Sequence, residues 1–152
     1  MAGLRWFRRW GPAMVGAAAI WILSTQAFSD ASTERFIVPG LAWFFPTMSP
    51  ESLFVWHGMI RKFAHILVYL TFCLLVLRAI RGDRRGWRVS WAIAALVIAI
   101  CYAVLDELHQ SFVPARRAFP RDVMFDWAGA GLALVFTWWR HHGLCLRAGQ
   151  NV

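Results

Sequence analysis

VLDELHQSFVPARRAFPRDVMFD, Val104 to Asp126, places four acids, three arginines and a histidine between two strongly apolar runs. The fold turns on what this stretch is. It is either a charged surface loop of a soluble domain or the rim between two membrane helices. Composition decides. The chain has 152 residues, is 59% hydrophobic with ten tryptophans, and has a mean hydropathy of +0.50. Its charged fraction is 16%, against roughly 25% in soluble domains. The expectation is an all-α integral membrane bundle, one domain over residues 1–152, with no room for a second.

Working outward from the quoted stretch gives four apolar spans, at about 11–28, 63–80, 89–110 and 122–139. Each is near the ~17–25 residues that cross a bilayer as a helix. A helix satisfies its own backbone groups, which lipid cannot do. The third run is apolar only to Leu105 and reaches span length by continuing through Asp106 to Gln110. Arg5, Arg8 and Arg9, the cluster Arg78–Arg88, and Arg140 and Arg147 all fall on one side. Seven of the eight acids fall on the other. The positive-inside rule then puts both termini in the cytoplasm. A second reading of the first run stays open: arginines, an apolar core and the small-residue stretch STQA also describe a cleaved signal peptide.

The first outer connection, 29–62, carries LAWFFP, an aromatic segment expected to lie in the membrane interface. Ser49-Pro50-Glu51 reads as a helix start: a serine N-cap, a proline at the first position and an acid in the first turn. That helix runs on into the second span.

The net charge of +8 comes from arginines flanking apolar runs. This pattern suits topology and lipid headgroups, and no nucleic-acid module is present. Cys73 and Cys101 lie in apolar runs and Cys145 in the tail, without zinc or disulfide spacing.

All four spans bring polar groups to one level. Ser24, Thr25 and Gln26 end the first. Lys62, His65 and Tyr69 share a face of the second at i, i+3 and i+7. Asp106 and Gln110 share one at i, i+4, as do Asp122 and Asp126. Asp126 sits a turn inside an apolar helix, where an unpaired charge is costly, so it is expected to face the bundle and find a partner. Gly129 and Gly131 are expected to allow close helix approach. Asp30, Glu34, His109 and Arg121 read as solvated groups. His57 and the pair His141-His142 read as incidental.

RKFAHILVYL, then LDELHQSFVPARRAFPRDVMFDWAGAGLA, preceded by ILSTQAFSD, resembles the VanZ-like family of small bacterial membrane proteins. The family pattern is K-x-x-H-x-x-x-Y, then D-E-x-x-Q-x-F-x-x-x-R, then an aspartate and an asparagine or aspartate ahead of glycines. Here these are Lys62, His65 and Tyr69; Asp106, Glu107, Gln110, Phe112 and Arg116; Asp122, Asp126 and Gly129. The resemblance runs from Trp21 to Leu134. Asp126 stands where the pattern more often has asparagine. The resemblance implies a protein of the bacterial inner membrane and links it to low-level resistance to teicoplanin, a lipid-anchored glycopeptide. It implies no specific reaction.

Two functions remain in view. In one, the polar mouth binds or masks a membrane lipid, a lipid-linked envelope intermediate or a glycopeptide, with Lys62, Tyr69, Gln110, Arg116 and Arg117 as ligand contacts. In the other, it is an enzyme site with His65, Asp106, Glu107, Asp122 and Asp126 as candidate catalytic groups. His65, Asp106, Asp122 and Asp126 would then offer a divalent metal its ligands. Asp106 and Glu107 are adjacent and cannot point at one spot, so Asp106, which shares a face with Gln110, is the inner group, and Glu107 pairs with an arginine. A transport path fits less well, since polar groups are missing from the span centres.

Overall fold

Five α-helices and one short 3-10 turn make up the described residues, and no strand occurs among them. The structure is a computed structural model describing residues 2–113 and 122–149, with side chains described over 3–113 and 122–143. Helix α1 spans Ala2–Leu23, α2 Asp30–Phe44, α3 Pro50–Arg81, α4 Val89–Ser111 and α5 Asp122–Gly149; the 3-10 turn at Gln26–Phe28 joins α1 to α2. The predicted class holds. α3 and α4 are each long and apolar enough to cross a membrane, and α1 with α2 qualifies as one pair bent by 72°. A four-span count fits the way α1, α3, α4 and α5 alternate in direction. Arg9 near the start of α1 bonds carbonyls at the end of α3. Ser24, just past α1, meets Gln110 at the end of α4.

The first span is shifted from its predicted place. α1 begins at Ala2 and stops at Leu23, so its arginines lie inside the helix and not ahead of it. Its apolar part is about 14 residues, or roughly 21 Å. The chain then turns sharply, with Thr25 extended at φ −75°, ψ 170°. The second span is the C-terminal part of one long helix that starts at Pro50, as the sequence predicts. α3 has 32 residues, roughly 48 Å against a hydrocarbon layer of about 30 Å. Its N-terminal third packs against α2, with Leu53 and His57 buried. The helix starts as predicted: Ser49 Oγ accepts from Ser52 N at 3.3 Å, Pro50 is first, and Glu51 lies in the first turn.

The connection expected to be a loop with an aromatic segment contains a helix. LAWF is the last turn of α2. Ser29 caps it by accepting from Ser32 N at 3.3 Å, with Asp30 in the first turn. Pro39 sits inside it, removing one backbone donor without ending the helix. α2 packs on α3, and its Phe36, Trp43 and Phe44 side chains are largely exposed.

Packing follows membrane rules. Lipid tails are as apolar as leucine, so large apolar side chains gain little by turning inward, and small residues bring helices together. Ala95, Ala99 and Ala103 form a fully buried stripe on α4 at intervals of four, and Ala130 and Ala133, three apart, are buried on α5. Phe63, Val135 and Trp139 face outward. At Gly129 a Cβ would lie 2.2 Å from the Ile66 carbonyl oxygen, so only glycine fits between α5 and α3. Gly131, expected to share that role, has nothing within 4 Å.

Candidate functional site

The acidic end of the bundle is built from one level of four helices. On α4, the Gln110 amide donates to Asp106 Oδ2 at 2.8 Å and to Ser24 Oγ at 3.3 Å. All three residues are buried. The i, i+4 pairing expected from spacing is therefore a hydrogen bond. It also ties the turn after α1 to the end of α4. Tyr102, one turn before Asp106, ties α4 to α1 a second time by donating to the Ala17 carbonyl at 2.7 Å.

Between α3 and α5, His65 Nδ1 lies 2.9 Å from Asp126 Oδ1. Asp126 is 2% exposed. A carboxylate only accepts, so Nδ1 carries the proton in this pair. With a neutral ring, Nε2 then keeps its lone pair. The contact depends on Gly129. Asp126 and Gly129 are three apart on one face of α5, as Ile66 follows His65 on α3. The close approach at Gly129 is what brings the carboxylate within reach of the imidazole.

A cavity of about 180 Å³ opens among α1, α2, α3 and α4. One part of its wall is apolar, including Ile20, Ile37, Ile60 and Val68. The other carries Ser24, Thr33, Arg61, His65, Tyr69 and Asp106. Two polar atoms on this wall are buried without a hydrogen-bond partner, Tyr69 Oη and Asp106 Oδ1. They lie close enough to interact with each other, phenol toward carboxylate, but short of regular hydrogen-bond geometry, and neither has another partner among the described residues. A buried polar atom left unmatched costs about 1–3 kcal/mol.

The sequence-predicted residues divide. His65, Tyr69 and Asp106 meet at the cavity, Gln110 braces Asp106, and Asp126 braces His65. Asp122 is half-buried one turn before Asp126 on α5. Glu107 lies beside Asp106 and away from the cavity, with Oε1 buried and unmatched and no arginine paired to it among the described residues. Lys62 shares the predicted face but is exposed, its ammonium 5.4 Å from the Phe125 ring centroid. Arg116, Arg117 and Arg121 lie outside the described residues. Among those described, no group of three or more His, Cys, Asp and Glu side chains is placed to hold a metal ion. His65 and Asp126, two of the expected ligands, bind each other.

A family model described as VanZ/LLP1 matches residues 11–141. The chain belongs to the VanZ-like family. No curated protein and no solved structure matches it. The VanZ-like motif residues His65, Tyr69, Asp106, Gln110, Asp126 and Gly129 thus form the braced wall and its close helix contact.

A second polar group in this VanZ-like chain was not foreseen. Arg61 forms an ion pair with Asp30 and donates to Thr33 Oγ1 at 3.4 Å, and His57 Nε2 lies 3.2 Å from the same hydroxyl. His57 is buried. Asp30, expected to be solvated, and His57, expected to be incidental, instead pin α2 onto α3 through Arg61 and Thr33, which line the cavity. The signal was present at Ser29-Asp30, which repeats the cap-and-acid start found at Ser49. His109, also expected at the surface, stacks on Trp21 with ring centroids 3.8 Å apart.

Proposed function

We propose that this VanZ-like protein binds a lipid or lipid-linked cell-envelope ligand in the cavity under α2. In this reading the cavity faces outward from the bacterial cytoplasmic membrane and both termini are cytoplasmic, in keeping with the arginine distribution. The observation that carries the reading is the pair of unmatched atoms, Tyr69 Oη and Asp106 Oδ1, at the meeting of polar and apolar walls. They suit a headgroup that offers hydroxyl or ammonium donors. The wall's one arginine, Arg61, is already held by Asp30. A cavity of about 180 Å³ is below the ~300 Å³ of a small-ligand site, so it takes one headgroup or chain segment while the rest of the ligand lies in lipid. Masking such a ligand is a route by which the protein would contribute to glycopeptide resistance, teicoplanin included.

The test uses purified protein in nanodiscs of phosphatidylcholine. Phosphatidylethanolamine, a glycolipid and teicoplanin are added in turn, and bound ligand is counted by native mass spectrometry. Retention of one of them by the wild type, reduced about tenfold or more in Tyr69→Phe or Asp106→Asn, is the expected result. Equal retention by both variants would sink the proposal.

The His65–Asp126 pair favours a second reading, an enzyme acting on a hydroxyl-bearing lipid. Asp126 would orient the imidazole and Nε2 would accept the hydroxyl proton. It predicts turnover of labelled lipid by the wild type, lost in Asp126→Asn while binding persists. Binding without turnover in the wild type excludes it.

A further inference from the structure

The opposite end of the bundle carries a separate site. Arg9, on α1, donates from Nε to the Ala79 carbonyl and from Nη2 to the Ile80 carbonyl at 2.7 Å. These are carbonyls in the last turn of α3 that have no partner within the helix. The cation also meets the negative end of the α3 dipole. The turn after α3 accommodates this contact. Gly82 has φ +58°, and a Cβ there would lie 3.1 Å from the Arg9 guanidinium. Arg9 thus clamps α1 against α3. The clamp brings Arg5 and Arg8 of α1 to face Arg78 and Arg81 of α3 across a cavity of about 800 Å³.

Four arginines around one cavity, beside the clamping Arg9, need an explanation that topology does not give. The positive-inside rule counts charges near span ends and is met by arginines pointing anywhere into water. Asp83 is the one acid in the wall, and it pairs with none of them; both ion pairs among the described residues lie at the other end. The side chains of Arg5, Arg8 and Arg81 make no hydrogen bond or ion pair among the described residues. Guanidinium groups arranged this way repel one another unless an anion sits between them, and their planar forks match phosphate oxygens. A second cavity of about 440 Å³ shares Arg78 and Arg81 and is walled by Leu74, Leu77, Trp91 and Phe136. Charge and apolar surface therefore adjoin, as a lipid phosphate with its chains requires.

We propose that the arginine end binds a phosphate-bearing ligand, its phosphate held among Arg5, Arg8, Arg78 and Arg81. The chemistry recognised is the phosphate monoester or diester. The adjoining apolar cavity favours an anionic membrane lipid as its source over a free phosphate. The site is independent of the cavity under α2 and of which side of the membrane this end faces.

The experiment titrates purified full-length protein in neutral detergent with phosphatidylglycerol, cardiolipin, phosphatidylcholine and inorganic pyrophosphate, following Tm. Folding of each variant is checked first by size-exclusion profile. Arg5→Gln/Arg8→Gln removes two cavity charges that make no structural bond, and Arg81→Gln alone serves if the double variant is unstable. Arg85→Gln removes a charge from the same end but outside the cavity wall. An anionic lipid raising Tm, with affinity falling roughly tenfold or more in the cavity variants and unchanged in Arg85→Gln, supports the site. The same pattern with pyrophosphate also supports it and identifies a soluble phosphate as source. Equal losses in Arg85→Gln, or equal shifts with phosphatidylcholine, overturn it, because bulk charge or detergent exchange would then explain the effect.

Discussion

The two ends of the bundle handle charge in opposite ways. At the acidic end Asp126 has His65, Asp106 has Gln110, and Arg61 has Asp30. At the arginine end Arg5, Arg8, Arg78 and Arg81 face one another, and Asp83, the one acid in the wall, pairs with none of them. Depth accounts for the contrast. His65 stands sixteen residues above Arg81 on α3, roughly 24 Å along the helix axis, and its partner is almost fully buried. A charge there cannot draw on water, so the fold must supply its partner. The arginines are exposed at the helix ends, where water, counterions and headgroups hydrate them. One end needs internal pairing to fold. The other tolerates like charges and is left free to bind an anion.

The sharpest way to break the acidic end is at the helix contact beneath it. Gly129→Ala would place a methyl group 2.2 Å from the Ile66 carbonyl oxygen. Backbone cannot yield as a side chain can, so α5 must move off α3. The expected loss is about 3 kcal/mol or more, read from unfolding in mixed detergent micelles. Gly131→Ala, with nothing within 4 Å, should stay within about 0.5 kcal/mol of wild type. Equal effects at the two glycines would mean that α3 and α5 do not meet so closely.

Next in size is the His65–Asp126 pair. His65→Ala leaves the buried carboxylate alone and should cost about 2 kcal/mol. Asp126→Ala removes the other half. In the double variant the losses should fall short of additive, with a coupling of about 1 kcal/mol. Strict additivity in this cycle would show that the two side chains do not interact.

Much of this was legible in the sequence, and the gaps have physical causes. Asp106 with Gln110 followed from helical spacing, because both lie on one helix and local geometry fixes their relation. That Asp126 must have a partner followed from the cost of a charge in lipid. Which partner did not, because His65 is 61 residues away and the helix contact that joins them is set by Gly129. The α2 network was hidden for another reason. Pro39, Gly40 and a run of aromatics read as an interfacial loop, so Asp30 and Thr33 had no helix face to be placed on. Without that face, His57 and Arg61 had nothing to meet. Arginine clustering was plain in the sequence. That Arg9 differs from its neighbours was not, because its role is to cap a helix seventy residues further on.

That difference gives the smallest and most discriminating test at the arginine end. Arg9→Gln removes donors from the α3 carbonyls and should cost about 1 kcal/mol in neutral detergent. Arg8→Gln removes only a like charge, and should leave stability unchanged or raise it by about 0.3 kcal/mol. Salt separates the two causes. At 1 M ionic strength the screening length is about 3 Å, so any gain from Arg8→Gln should vanish while most of the Arg9→Gln loss remains. If both variants lost stability equally and salt erased both losses, Arg9 would be one more surface charge. The clamp that brings Arg5 and Arg8 to face Arg78 and Arg81 would then have no basis.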